Sequence, residues 1–64
     1  MLDYSKISDE RLENMLNSYL DNVRMAKAFA SVEKSPIQRE TYLRAAELNQ
    51  QSAFAVLAEL ARRI

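Results

Sequence analysis

Apolar side chains recur at spacings of four and three residues along the first half of the chain. This spacing places them on a single stripe of an α-helix. Before the run, Ser8 can accept hydrogen bonds from the free N–H groups of a helix start, and Asp9 and Glu10 suit the positive end of the helix dipole. We therefore predict helix 1 from about residue 8 to residue 33. Its stripe comprises Leu12, Leu16, Tyr19, Val23, Ala26 and Ala30.

A break follows at Lys34-Ser35-Pro36. Proline at the first helical position after a serine cap is typical of a helix start, and Gln38 stands three residues after Ser35, as in a capping box. We predict a turn at 34–36 and helix 2 from about residue 36 to residue 63. A single continuous helix is the alternative, which the cap signature disfavours. Because a tight turn makes long helices antiparallel neighbours, the predicted fold is an all-α two-helix hairpin, one domain over residues 1–64.

Helix 2 has more apolar surface than one neighbouring helix can cover. At about 100° per residue, Leu57 and Phe54 lie near the centre of its predicted stripe, whereas Val56 and Leu60 lie to one side. Gln50 falls within the stripe, either as a partly exposed gap or as a register-setting contact across an interface. The C-terminal half is thus apolar or small around most of its circumference. The predicted stripe comprises Leu43, Ala46, Gln50, Ala53 or Phe54, Leu57, Leu60 or Ala61, and Ile64.

Helix 1 has a second apolar patch, Met25, Phe29 and Val32, away from its main stripe. This patch either wraps around a curved two-helix core or forms an exposed binding surface. Surplus apolar surface on both helices predicts that another helix packs there. That helix belongs either to a second copy, giving a four-helix bundle, or to a different protein. The predicted partner-binding residues are Phe54, Val56, Leu57, Leu60, Met25, Phe29 and Val32.

The composition restricts the chemistry. The 64 residues include no cysteine and no histidine, which excludes disulfides, thiolate chemistry, typical zinc sites and imidazole catalysis. We interpret the acidic cluster Asp9, Glu10 and Glu13 as a complement to the helix dipole. The sequence therefore predicts no catalytic residue, no metal, no cofactor and no small-molecule substrate. A core below roughly 70–80 residues seldom supplies more than ~3–5 kcal/mol, so association with a protein is the remaining source of stability.

Nine basic and nine acidic residues cancel, so no net field attracts nucleic acid or anionic lipid. The alternative function is a hairpin-dimer nucleic-acid-binding regulator that uses the stripe Arg24, Lys27 and Lys34, an architecture similar to plasmid RNA-regulating hairpin dimers. Because Glu13 and Asp21 lie near the same face, a mixed solvated surface is favoured. No long apolar run or secretion signal is present, and we expect a cytoplasmic protein that does not bind membranes.

The hairpin length, the break at Ser35-Pro36 and the segment Ser52–Leu57 with Leu60-Ala61 resemble the small co-chaperones of type III secretion needle subunits. The resemblance covers most of residues 12–61. In that family, a helical hairpin packs on a larger tetratricopeptide-like chaperone, and the pair keeps the needle protein soluble in the cytosol. The resemblance implies an adaptor or co-chaperone function. It also implies partner-facing positions for Phe54, Val56, Leu57 and Leu60.

Overall fold

A computed structural model describes residues 3–64, so the first two residues of the chain lie outside the described range. A short 3-10 helix, Tyr4–Lys6, precedes helix α1, Asp9–Val32, and helix α2, Pro36–Arg62. The two long helices run antiparallel. The molecule extends 43 × 19 × 14 Å along its three principal axes. The all-α hairpin and both predicted helix ranges are confirmed to within one residue at each end, and the single continuous helix is wrong.

Both long helices begin at serine caps, as predicted. The Ser8 hydroxyl accepts a hydrogen bond from the Arg11 backbone N–H at 3.3 Å. The Ser35 hydroxyl accepts one from the Gln38 backbone N–H at 3.4 Å, and Pro36 is the first residue of α2. Each cap satisfies a backbone donor that the helix itself leaves free, which is why the sequence alone locates these ends well.

The turn between the helices completes its hydrogen bonds differently from a capping box. The Ser35 backbone N–H donates to a carboxylate oxygen of Glu33 at 3.1 Å, in the place that a Gln38 side chain would take. The Arg39 guanidinium then donates to the Glu33 backbone carbonyl at 2.8 Å and ties the start of α2 to the end of α1. These bonds hold a turn that contains no glycine and no positive φ.

The contact between the helices is rich in alanine. On α1 the predicted stripe is confirmed, because each of its six members is buried or half-buried. Four of the six buried apolar residues of the hairpin are alanines, and Leu12 and Val56 are the largest fully buried side chains. Small side chains at a helix contact let the backbones approach closely. On α2 the contacting row, which we call the inner seam, comprises Tyr42, Ala46, Asn49, Ala53, Val56 and Leu60.

The predicted stripe of helix 2 is therefore rotated away from the observed one. Leu43, Phe54 and Leu57 are exposed, and Gln50 also faces solvent, which fits its interpretation as an exposed gap. Val56, predicted to lie beside the stripe, has no accessible surface. The sequence analysis placed the largest apolar side chains of helix 2 in the contact with helix 1. In the structure, Ala46, Ala53 and Val56 are buried against α1, and Leu43, Phe54 and Leu57 lie exposed beside this row.

Two side-chain contacts join α1 to α2 and show which residues of the two helices lie opposite each other. The Asn22 side-chain amide donates to the Asn49 side-chain oxygen at 3.1 Å, and the Asn49 amide donates to the Ala45 carbonyl at 2.8 Å. Nearer the turn, the rings of Phe29 and Tyr42 pack with centroids 5.6 Å apart. The polar contact in the seam is thus made by Asn49, the neighbour of Gln50. We call the side of the hairpin that carries this amide pair the asparagine face.

At the open end, Arg63 joins the chain termini. Its guanidinium donates to the Asp9 carboxylate at 2.6 Å, to the Tyr4 backbone carbonyl at 2.9 Å and to the Glu59 carboxylate at 2.9 Å. Hydrogen bonds from Arg62 and Arg63 lower the pKa of Glu59. The pKa of Arg63 is raised, chiefly by its hydrogen bond to Asp9. The acidic start of α1 therefore has a structural role, because its first carboxylate binds this arginine.

Candidate protein-interaction surface

Helix α2 carries a second row of positions beside the inner seam, displaced from it by one residue. These positions also follow spacings of four and three, so they form a continuous stripe along the helix. Every member is exposed in the hairpin. A helix with two adjacent stripes can contact two neighbouring helices, as helices of a four-helix bundle do. We call this row the outer stripe; it comprises Leu43, Glu47, Gln50, Phe54, Leu57 and Ala61.

The outer stripe lies on the side of the hairpin away from the asparagine face. At about 100° per residue, Leu57 and Phe54 are rotated by about 80° and 140° around α2 from Asn49. Leu20 is rotated by about 160° around α1 from Asn22, so it belongs to the same side as the outer stripe. Leu20 is also exposed. The two helices thus contribute to one apolar surface.

The predicted partner-binding residues of helix 2 divide between the two stripes. Phe54 and Leu57 lie on the outer stripe and are 58% and 44% exposed. Val56 is 0% exposed and Leu60 is half-buried, and both belong to the inner seam. The prediction of Val56 as a partner contact is wrong, because a side chain without accessible surface reaches a partner only if the hairpin opens. Leu60 is only partly accessible to a partner, because it is half-buried in the inner seam.

The predicted residues of helix 1 lie on the other side. Met25, Phe29 and Val32 are all exposed, and at about 100° per residue they fall toward the asparagine face. The contact between the Phe29 and Tyr42 rings shows that part of this patch wraps around the two-helix core. The seven predicted residues therefore do not form one surface. They comprise two outer-stripe residues, two inner-seam residues and a separate patch near the turn.

The sequence prediction missed several exposed apolar side chains. Ile37 and Leu48 line a shallow apolar depression on α2 near the turn, and Leu43 and Ile64 were predicted to belong to the helix contact. The small size of Ala46 and Ala53, rather than their spacing, carried the missing signal. The inner seam repeats the four-and-three pattern of helix 1, but so does the outer stripe. Spacing alone does not decide which of the two faces helix 1.

The basic stripe is interleaved with acidic residues. Arg24 forms an ion pair with Asp21 at 3.9 Å, and both side chains are largely exposed. Lys27 and Lys34 are also exposed. An exposed pair of this kind contributes little stability and does not leave an uninterrupted positive surface. Among residues 3–64, no group of three or more acidic, histidine or cysteine side chains is arranged to hold a metal ion.

Comparisons with protein-family models, with curated proteins and with solved structures give no match to this chain. Neither of the long helices within residues 3–64 has a stretch that is apolar enough, over sufficient length, to cross a membrane.

Proposed function

We propose that the protein is a non-enzymatic protein–protein interaction module, of the adaptor or co-chaperone type, that binds a helix of another polypeptide through the outer stripe. The observation that carries this proposal is the pair of adjacent stripes on α2. The hairpin uses the inner seam, and the outer stripe remains exposed although it has the spacing of a helix-packing surface.

The chemistry of the outer stripe suits an amphipathic helix as the partner. Leu43, Phe54 and Leu57 each keep roughly half of their surface in water. Removing that surface from water contributes about 1–2 kcal/mol for each side chain. Gln50 and Glu47 provide polar positions that a partner can recognise. The resemblance to the needle co-chaperones supports the same function, because there too a hairpin of this length is held by a larger helical protein.

A capture experiment with matched variants tests the proposal. Immobilised wild-type protein, Leu57→Asp and Leu48→Asp are exposed to extract of the native cell, and any protein retained in stoichiometric amount is purified and titrated against all three. Leu48 is the control because it is 58% exposed but lies outside both stripes. We expect Leu57→Asp alone to lose the purified partner. Equal binding of that partner by all three proteins would refute the assignment to the outer stripe.

A further inference from the structure

The segment at residues 3–7 lies against the open end of the hairpin with few attachments to it. Its own backbone hydrogen bonds are internal, and the bond from the Ile7 N–H to the Tyr4 carbonyl, at 3.1 Å, closes the single turn of its 3-10 helix. Within residues 3–64, no backbone-to-backbone hydrogen bond joins this segment to α1 or α2. Side chains therefore attach it to the hairpin. We call residues 3–7 the strap.

The Tyr4 side chain packs the strap against α1. Tyr4 is half-buried, and burial raises the pKa of its hydroxyl. The neighbouring hydroxyl of Tyr19 on α1 raises that pKa further, because the two side chains lie close together. Tyr19 also lines a shallow depression on α1 with Met15 and Ser18. The strap therefore covers part of Tyr19 at the edge of this depression, and its 3-10 helix contacts α2 as well.

Arg63 provides the polar attachment of the strap. One guanidinium nitrogen donates to the backbone carbonyls of Tyr4 and Ser5, at 2.9 and 3.3 Å. The other two nitrogens donate to carboxylates on the two long helices, Asp9 of α1 and Glu59 of α2. The Arg63 side chain is 25% exposed and that of Glu59 is 10% exposed, so the group is partly shielded from water. Charge-assisted bonds arranged in such a network are stronger than an isolated surface pair. One side chain therefore joins the strap to both helices.

We infer that Arg63 holds the strap closed and that the strap opens while α1 and α2 remain paired. In the open state the guanidinium loses its bonds to the strap carbonyls and Tyr4 leaves Tyr19, whereas the inner seam and the Asn22–Asn49 bond are retained. Local opening of this kind requires less free energy than unfolding of the hairpin, because it breaks few contacts. Opening uncovers Tyr19, so the strap controls access to the depression that Tyr19 lines. No outer-stripe residue takes part, and the inference therefore does not rest on the proposed function.

Cleavage by a lysine-specific protease tests the inference, because the chain has only three lysines and two of them report on different events. Lys6 lies in the strap and Lys27 lies within α1. A protease cleaves a segment only when it is locally unfolded, so cleavage after Lys6 reports opening of the strap and cleavage after Lys27 reports unfolding of the hairpin. Initial rates at both sites are measured by mass spectrometry in buffer and in low concentrations of urea.

Two neighbouring arginines provide a variant and its matched control. Arg63→Ala removes the bonds to the strap. Arg62→Ala removes a side chain that donates to the same Glu59 carboxylate, at 2.7 Å, but whose hydrogen bonds among the described residues do not include the strap. Circular dichroism verifies the helical content of each protein. If Arg63→Ala loses its helical content, the comparison of the two sites in the wild type still decides whether the strap opens by itself.

We expect the wild type to be cleaved after Lys6 at least about tenfold faster than after Lys27, and the rate at Lys6 to depend little on urea because opening exposes little surface. Arg63→Ala should raise the rate at Lys6 about tenfold, and Arg62→Ala less than about twofold. Equal rates at Lys6 and Lys27 that rise together with urea would show that the strap opens only when the hairpin unfolds, and would overturn the inference. Equal effects of the two variants on cleavage after Lys6 would also overturn it, because Arg63 would then not be the group that holds the strap.

Discussion

Val56 and Leu57 are neighbours in α2, yet they lie on different stripes, so the same substitution at each is expected to have opposite consequences. Val56→Asp places a carboxylate in the inner seam, where the native side chain is 0% exposed. The variant loses about 1.5–3 kcal/mol of apolar burial and adds a penalty of several kcal/mol for an unpaired buried charge. Because a domain of this size is stable by only about 3–5 kcal/mol, we expect it to be unfolded.

Leu57→Asp is expected to remain folded. Leu57 is 44% exposed, so the substitution loses about 1–1.5 kcal/mol of burial, and aspartate reaches water there. The lower helix propensity of aspartate adds about 0.6 kcal/mol, for a total near 2 kcal/mol. Urea unfolding followed by circular dichroism, at a concentration at which the wild type is monomeric, measures both variants. A folded Val56→Asp protein, or an equal loss of stability in the two variants, would refute the assignment of the stripes.

Three further predictions concern the ends and the seam of the hairpin. Asn22→Ala and Asn49→Ala, combined in a double-mutant cycle of urea unfolding, should show a coupling energy of about 0.5–1.5 kcal/mol; a value of zero would contradict the cross-helix bond. Because the pKa of Glu59 is lowered from 4.5, its stabilising effect is present above that pH and is lost as the pH falls through the folded-state value. Glu59→Gln should therefore be less stable than the wild type near neutral pH and converge with it in acid, and a constant difference across a pH series of thermal unfolding would argue against this role. Ser35→Ala should cost about 1 kcal/mol through loss of the α2 cap, whereas Ser35→Asp should retain most of the stability in the same assay.

The helix ends could be predicted from the sequence because they depend on local chemistry. Ser8 and Ser35 each stand immediately before their helix, and Pro36 fixes the first turn of α2. The stripe of α1 was also predicted correctly, because its apolar residues form one row with polar residues beside it. In these elements, residues within four positions of one another determine the structure.

Either the inner seam or the outer stripe of α2 could face α1, because both rows have the same spacing. Packing between the two helices, rather than local sequence, decides which row is buried. Ala53 and Val56 face α1, whereas the larger Phe54 and Leu57 do not. A ranking by side-chain hydrophobicity favours the second pair, because it takes no account of how closely alanines let two backbones approach. For this reason the sequence analysis placed Phe54 and Leu57 in the contact with helix 1, whereas the structure leaves them exposed and buries Val56 there.

Contacts between distant residues were likewise beyond the sequence analysis. Arg63 and Asp9 are separated by 54 positions and meet only because the hairpin brings its two ends together. The sequence indicated only that each charge suits its own helix terminus. Their contact depends on the lengths of both helices and on the register that the Asn22–Asn49 pair sets.

Sedimentation equilibrium of the purified protein tests the central claim most directly. If the outer stripe pairs with a second copy, the wild type should pass from a 7.4 kDa monomer to a dimer of twice that mass as its concentration rises, and Leu57→Asp should remain monomeric with its helical content retained. A Leu57→Asp variant that dimerises as the wild type does would contradict the assignment of the outer stripe. A wild-type protein that stays at the monomer mass over the whole concentration range would exclude a second copy as the partner.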